Sequence, residues 1–490
     1  MNNNINPILR TDSYKTGHIK QYPEGTEQVF SNWTPRDSRH APKELTKMTW
    51  FGLQAYLLET MVKGWNESFF YMPKDEVIDE YVRVVSGMGL EVFPEQFGAL
   101  HDLGYLPLEI RSLPEGVEVD MGIPTMVMWN TLPEFYWLTN FIETDMSANL
   151  WLPCTSASTA TLYRRIMSEI LERTGCDSPL FDFAAHDFSY RGMSSTQSAM
   201  VSGGAHLTAW NGTDSIPSIR WVENNYGATL GDDLIAGSVP ATEHSVMCAG
   251  SKAGEEETYQ RLLDMYPDTV ISIVSDTWDY WNVLTNILPK FKDQIMSREL
   301  PVVIRPDSGN PVDIICGDPK AAPGSPSFKG SFELLYETFG GSTNDKGFVS
   351  LAPQIGLIYG DSITPERARM IYEGLAAKNF CPTVVLGIGS YTYQFATRDT
   401  FGNAIKATSI VVNGERQAIF KDPVTAKGGL RKKSAVGLTA VYLNEDSGEY
   451  QLVDGVEMDA VKNCAFELRF KDGVISNLQQ WSDIVDRVRA

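Results

Sequence analysis

Histidine and cysteine are scarce in this chain, six of each in 490 residues. The cysteines (Cys154, Cys176, Cys248, Cys316, Cys381 and Cys464) form no CxxC pair. That spacing excludes a zinc ribbon and suits buried free thiols in a reducing compartment better than a disulfide framework. No stretch of about 18 apolar residues occurs, so no membrane span is expected. The opening Met1-Asn2-Asn3-Asn4-Ile5 has neither the basic nor the apolar region of a signal peptide. These absences together point to a cytoplasmic protein with no membrane partner. Positive charge is also short: 41 Lys and Arg stand against 62 Asp and Glu, a net charge of −21. A nucleic-acid partner, which needs a basic surface, is thereby excluded. Small phosphorylated ligands are not, because a few basic side chains converging in a pocket neutralise phosphate locally.

What is present is an ordinary globular composition, 43% hydrophobic and 21% charged, long enough for two or three domains. The early cluster Thr11-Asp12-Ser13-Tyr14-Lys15 reads as an N-cap with an exposed first turn. Leu108 to Leu113 and Val117 to Val119 alternate as strands around the turn Pro114-Glu115-Gly116. Pro133-Glu134 opens a long apolar and aromatic helix through about Asn149.

From about residue 180 short apolar runs recur, each followed by polar functional residues. Leu180 to Ala184 leads into His186-Asp187-Phe188-Ser189-Tyr190-Arg191-Gly192, and His206 to Trp210 leads into Asn211-Gly212-Thr213-Asp214. Val270 to Val274 leads into Ser275-Asp276, and Pro301 to Ile304 into Arg305-Pro306-Asp307-Ser308-Gly309. Ile355 to Tyr359 leads into Gly360-Asp361, after which Thr364 caps a helix with Pro365 at its first position. Thr383 to Leu386 leads into Gly387-Ile388-Gly389-Ser390. Continuous apolar strands alternating with helices imply a parallel sheet covered on both faces. Polar residues just beyond every strand's C-terminal end fit a (β/α) barrel, whose catalytic face is built from those positions, better than an open sheet. Beyond 400 the chain is β-rich, with hairpin-type dipeptides Asn413-Gly414, Asp454-Gly455 and Asp472-Gly473, and a longer turn Glu445-Asp446-Ser447-Gly448. The expected architecture is α/β: a barrel-like domain over 151–390, and a mixed, β-rich domain formed from 1–150 and 391–490.

His244, between Glu243 and Ser245, combines an imidazole with a carboxylate able to fix its tautomer and raise its basicity. Arg305 and Asp307 pair a bidentate donor with a carboxylate; Arg suits phosphate or carboxamide oxygens, Asp suits sugar hydroxyls or magnesium. Gly360-Asp361 and Gly387-Ile388-Gly389-Ser390 let backbone N–H groups approach an anion. Asp276 and Asp214 stand at strand ends, where an aspartate also serves as a cap. His186 and His206 are assigned to packing or hydrogen bonding.

These residues, in this order, resemble the nicotinamide phosphoribosyltransferases, members of the type II phosphoribosyltransferases. The motifs are His186 to Gly192, Glu243-His244-Ser245, Ser275-Asp276, Arg305 to Gly309, Gly360-Asp361, Thr397-Arg398-Asp399 and Phe420-Lys421-Asp422-Pro423. Thr11 to Lys15 and Pro133 to Thr144 match as well. The resemblance implies an α/β barrel plus a β-rich domain in a homodimer with shared active sites. It also implies transfer of the phosphoribosyl group of 5-phosphoribosyl 1-pyrophosphate to nicotinamide, giving nicotinamide mononucleotide and pyrophosphate. Magnesium assists, and ATP hydrolysis is coupled through a phosphohistidine. His244 is implied as the phosphorylated residue, oriented by Glu243. Phe188 stacks on the pyridine ring, with Tyr14 of the other chain opposite; Asp214 accepts from the carboxamide, with Arg191, Arg305 and Asp12 in the nicotinamide site. Asp307, Gly360 and Asp361 serve the ribose. Gly389 and Ser390 meet the 5′-phosphate, helped from the other chain by Arg36, Arg398 and Lys406, and Asp276 and Asp307 help hold magnesium and the pyrophosphate. Ser390 departs from a glycine-rich run, Ala404 replaces a phosphate-contacting serine, and Lys427, Lys432 and Lys433 share one unresolved phosphate role. The rival readings are a nicotinate phosphoribosyltransferase, which Asp214 disfavours, and a non-catalytic phosphosugar-binding signalling protein on the same fold.

Overall fold

The structure, a computed structural model, describes residues 5–420 and 435–490. Lys421-Asp422-Pro423 and the basic cluster with Lys427, Lys432 and Lys433 lie outside the described residues. The chain divides into two compact units, one of Met1–Ser158, Arg220–Leu234 and Ala396–Ala490, the other of Thr159–Ile219 and Ile235–Phe395.

The first unit is built on an antiparallel sheet that draws strands from both ends of the chain. Its order is Glu415–Ala418, Ala404–Val412, Thr26–Thr34, Met126–Asn130, Leu108–Ser112, Glu467–Lys471, Val474–Ile475. Asn413 and Gly414 both take positive φ, 49° and 78°, so the dipeptide forms the tight turn expected of it. Asp454-Gly455 does not: it lies inside the strand Glu449–Val456, whose pairing with Leu438–Asn444 shifts register there. A left-handed glycine serves a bulge as well as a turn. In the same unit, Glu115 is fully buried and accepts hydrogen bonds from Gly52 N (2.8 Å), Gln54 N (2.6 Å) and Tyr226 Oη (2.9 Å). Burial pushes its carboxyl above the usual range, and those three donors pull against that. The expected helix from Pro133 is instead three pieces, Pro133–Phe135, Leu138–Phe141 and Glu143–Thr174. The Thr11 to Lys15 cluster opens the short 3-10 helix Ser13–Gly17, with Asp12, Ser13 and Tyr14 exposed as expected. Asp12 makes no capping hydrogen bond, and Lys15 is buried and paired with Glu143 at 2.7 Å.

The second unit is a parallel barrel. Six strands run in the order Gly212–Thr213, Ala185–Asp187, Val385–Ile388, Ile355–Tyr359, Val302–Arg305, Ile271–Val274. The extended segment 237–242 links the two edges. Gly237 bridges Gly212 and Ala241 bridges Ser272, both in parallel, with Gly237 N→Asn211 O 2.8 Å and Thr242 N→Ser272 O 2.9 Å among the bonds. Every strand therefore has neighbours on both sides, and the polar groups after its last residue all emerge at one end. Two expected strands sit elsewhere. Leu180 to Ala184 is mostly a short 3-10 turn before the strand, and His206 to Trp210 closes the helix Thr196–Ala209. That helix is buried nearly all round and so carries no helical period; only its Ser195/Ser198 capping box marks its start. His206 is a packing residue, as expected: its ring meets Tyr393 Oη at 2.5 Å and Gly212 O at 3.1 Å, and burial lowers its pKa to about 4.

Cys176 and Cys381 are joined by a disulfide, Cα–Cα 5.6 Å, at a sequence separation of 205. The expectation of free thiols fails for this pair because the contact is tertiary: one cysteine follows the helix Glu143–Thr174, the other precedes the strand Val385–Ile388. Cys154 and Cys316 are buried and free, as expected, whereas the free Cys248 is exposed and the free Cys464 half-buried. No described helix is long and apolar enough to cross a membrane. Cys381→Ser, or a reductant, should cost about 2–4 kcal/mol of stability, read as a lower melting temperature by calorimetry. A melting temperature indifferent to both contradicts the bridge.

Candidate functional site

The C-terminal ends of the barrel strands surround a cavity of about 1250 Å³. Phe188, Arg191, Asp214, Glu243, Arg305, Gly360, Asp361, Gly389 and Ser390, all singled out from sequence, line it. Phe188, Asp214, Gly360 and Gly389 are the first residues past the strands Ala185–Asp187, Gly212–Thr213, Ile355–Tyr359 and Val385–Ile388, and Arg305 ends the strand Val302–Arg305, the positions from which a barrel's catalytic face is built.

Arg305 is the hub. Its guanidinium forks onto Asp307, Nε→Oδ1 3.0 Å and Nη2→Oδ2 2.8 Å, and lies 5.3 Å from the centre of the Phe188 ring. Burial alone lowers its pKa, but the Asp307 hydrogen bonds and the charges of Asp307, Asp214 and Asp276 reverse the sign, so it stays firmly cationic. Asp307 N donates to Asp276 Oδ2 at 2.9 Å, and Asp276 Oδ1 meets His244 Nε2 at 3.1 Å. One relay therefore runs Arg305, Asp307, Asp276, His244. Burial raises the Asp276 carboxyl, yet the donors from Ser308 and Asp307 N and the nearby His244 hold it below the usual carboxylate range.

His244 is oriented from Asp276, whereas the carboxylate of Glu243 takes its hydrogen bond from Ser245 Oγ. Adjacent residues at a helix start point apart, so sequence neighbourhood did not become contact; the true partner is 32 positions away. Nε2 faces Asp276, so Nδ1 is the ring nitrogen turned away from that carboxylate.

Asp214 is served by two residues. His186 Nε2 lies 2.9 Å and Ser238 Oγ 2.6 Å from the same oxygen, Oδ1. Burial opposes ionisation of Asp214, and these two bonds together with Arg305 overcome it, leaving the pKa lowered. In the sequence, His186 stands out only for packing or hydrogen bonding, and Ser238 does not stand out at all. A signal for His186 existed: it stands two positions before Phe188, hence on the same side of an extended segment. Ser238 had none. Gly360 is required by space, since a Cβ there would collide with Asp307 Oδ1.

Tyr14, Asp12, Arg36, Arg398 and Lys406 belong to the first unit, so the structure does not gather them with the cavity residues within either compact unit. They form their own group. Arg36 Nε donates to Gly402 O at 2.6 Å, Lys406 pairs across the sheet with Asn32, and Asp12 accepts from Thr144 Oγ1 at 2.7 Å. Partial burial lowers the Lys406 pKa and, against the pull of Glu143, so do the neighbouring cations Arg36, Lys15 and Arg398. Two of these cations are ion-paired, Arg398 with Asp399 at 3.2 Å and Lys15 with Glu143 at 2.7 Å.

Among the described residues no group of three or more His, Cys, Asp or Glu is arranged to hold a metal. Asp276 and Asp307 offer two carboxylates, each already hydrogen-bonded. That fits magnesium arriving on a diphosphate, since this ion is ordinarily held by one or two carboxylates with phosphate oxygens and water.

The model of the nicotinate phosphoribosyltransferase (NAPRTase) family matches residues 183–456, and that of the nicotinamide phosphoribosyltransferase N-terminal domain matches residues 6–82. A protein of Acinetobacter baylyi named nicotinamide phosphoribosyltransferase is 47% identical over 456 residues, covering 90% of this chain and 89% of its own. One of Mycoplasma pneumoniae with the same name is 33% identical over 440 residues, covering 87% and 94%. In fold, the chain superposes on nicotinate-nucleotide pyrophosphorylase of Pyrococcus furiosus with a TM-score of 0.59 at 12% identity, covering 100% of this chain and 95% of that one. Human nicotinic acid phosphoribosyltransferase gives 0.57 at 12% identity, covering 98% and 93%. With a relative this similar over nine-tenths of the sequence, and a barrel whose strand ends carry the motifs in order, the chain belongs to the nicotinamide phosphoribosyltransferases, within the nicotinate phosphoribosyltransferase family.

Proposed function

We propose that this protein transfers the phosphoribosyl group of 5-phosphoribosyl 1-pyrophosphate to nicotinamide, forming nicotinamide mononucleotide and pyrophosphate in NAD salvage. The observation that carries this reading is Asp214. Its Oδ1 is filled by His186 and Ser238, so Oδ2 is left as an acceptor at the cavity wall. An ionised carboxylate there accepts from a carboxamide N–H and repels the carboxylate of nicotinate, which disfavours the acid-using alternative. A silent phosphosugar-binding role would not need the His244–Asp276 pair.

The chemistry follows from charge. As the bond between the anomeric carbon and pyrophosphate breaks, positive charge grows on the ribose and negative charge on the leaving group. The pyridine nitrogen attacks without giving up a proton, so no general base is required. Phe188 supplies one stacking face, with Arg305 beside it to meet the carboxamide oxygen; Asp307, Gly360 and Asp361 hold ribose hydroxyls and Gly389 and Ser390 the 5′-phosphate. Magnesium carried by the diphosphate, with Asp276 and Asp307 as its protein ligands, would stabilise the leaving charge when bound. ATP is assigned to His244: Nδ1 displaces ADP from the γ-phosphorus, and the resulting phosphohistidine is later hydrolysed to phosphate. We place the second copy's Tyr14, Arg36, Arg398 and Lys406 at the cavity as well, completing a homodimer with shared sites, a state that sedimentation at assay concentration reads directly. The compartment proposed is the cytoplasm.

Two mutations test these roles. Asp214→Ser should weaken use of nicotinamide by about one to two decades, the loss of one charged hydrogen-bond partner, and relax exclusion of nicotinate, with phosphoribosyl pyrophosphate kinetics nearly unchanged. An unchanged product ratio in a well-folded Asp214→Ser enzyme would sink the assignment. His244→Ala should lose ATP hydrolysis and keep some magnesium-dependent transfer; full ATPase activity in that variant removes His244 from the phosphoryl-accepting role.

A further inference from the structure

Among the described non-glycine residues with positive φ are Ser251, Ser362, Asn379, Asn413, Asp472 and Asn477. The Asn and Asp residues tolerate that region; a serine there is strained. Of the two serines, Ser362 (φ 58°) stands in the wall of the catalytic cavity, directly after Asp361. Strain of this kind persists only where the surroundings hold it in place, and two hydrogen bonds do so here. Arg367 Nη1 donates to Ser362 O at 2.5 Å, and Ser362 Oγ donates to Asp361 Oδ2 at 2.9 Å. Arg367 is itself fixed: its backbone N–H is capped by Thr364 Oγ1 at 3.2 Å in the first turn of the helix Pro365–Ala377.

The choice of residue at 362 is informative. Glycine takes φ 58° without cost, but it has no hydroxyl with which to hold Asp361. A strained serine makes physical sense where its hydroxyl is used. With Oδ2 occupied, the remaining oxygen of Asp361, Oδ1, is the one left for a ligand. We propose that Arg367 and Ser362 are positioning residues for the phosphoribosyl substrate: Arg367 clamps the Ser362 carbonyl, and the left-handed Ser362 holds Asp361 so that its free oxygen meets a ribose hydroxyl. This rests on the ribose role given to Asp361 above. Neither residue touches the reacting atoms; both act through Asp361.

The test compares Ser362→Gly, Arg367→Ala and Arg367→Lys with the wild-type enzyme. Thermal melting is measured, together with initial rates varying phosphoribosyl pyrophosphate and nicotinamide separately. Ser362→Gly relieves the strain, so it melts at or above the wild-type temperature. It nevertheless raises KM for phosphoribosyl pyrophosphate on the order of tenfold, the effect of one lost hydrogen bond to a carboxylate, while KM for nicotinamide is unchanged. Arg367→Ala raises the same KM, Arg367→Lys restores part of the loss because an ammonium can still donate to the carbonyl, and an enzyme carrying both Ser362→Gly and Arg367→Ala is no worse than the weaker of those two single variants. A stabilised Ser362→Gly enzyme with wild-type KM for phosphoribosyl pyrophosphate overturns the proposal. So does a loss in both KM values that tracks melting temperature across the variants, which marks a merely structural role. Calorimetric titration with phosphoribosyl pyrophosphate and magnesium separates this from the activity itself. A wild-type protein that binds this ligand without turnover refutes the transfer reading alone, and the affinity lost in Ser362→Gly then decides the proposal. No binding by the wild-type protein overturns both.

Discussion

The mouth of the barrel depends on Arg305. It is a cation at the end of the strand Val302–Arg305, bordered by Asp307, Asp214 and Asp276. Taking a guanidinium partly out of water is costly unless it is paired and hydrogen-bonded, and the fork to Asp307 provides both. The consequences run outward in two directions. Through Asp307 and Asp276 the charge order reaches His244; across the face of Phe188 it reaches the place assigned to the pyridine. Removing Arg305 would leave Asp307 without its partner and Asp276 facing it through the backbone alone, so the arrangement is a unit and its parts should not act additively.

The same constraint explains how a chain of net charge −21 can handle phosphates. The long-range field of such a protein does not attract anionic substrates. In the proposed reading, binding comes from short-range donors: the backbone at Gly389 and Ser390 in the cavity, and Arg36, Arg398 and Lys406 of the first unit. Carboxylates such as Asp214 then select rather than attract: an acidic wall tolerates a neutral amide and rejects an acid. Selectivity of this kind depends on which oxygens are already occupied, and at Asp214 and Asp361 a serine hydroxyl occupies one of them.

Much of this was legible in the sequence because parallel barrels put chemistry immediately after apolar strands. Asp276, Arg305, Asp307, Gly360 and Asp361 are readable on that rule alone. Residues whose role depends on a partner distant in sequence were not readable. Ser238 sits in the irregular segment that links the barrel's edges and has no motif around it. Asp276, not the adjacent Glu243, holds His244, since a contact across strands outweighs neighbourhood along the chain. The run from His206 to Trp210 looks like a strand because a helix buried on all sides shows no amphipathic period. Cys176 and Cys381 carry no spacing signal because their helix and strand meet only once the barrel has formed. The left-handed Ser362 is invisible for a further reason, since serine gives no hint of its φ.

The central claim is that an ionised Asp214, held by His186 and Ser238, makes this an amide-selecting phosphoribosyltransferase. The most direct measurement is a competition in one vessel. Nicotinamide, nicotinate and quinolinate at equal concentration are incubated with the protein, 5-phosphoribosyl 1-pyrophosphate and magnesium, with and without ATP, and products are counted by mass spectrometry. If Asp214 selects the amide, nicotinamide mononucleotide with matching pyrophosphate forms in large excess over the acid products. Nicotinate mononucleotide as the main product, or no mononucleotide at all, would contradict it.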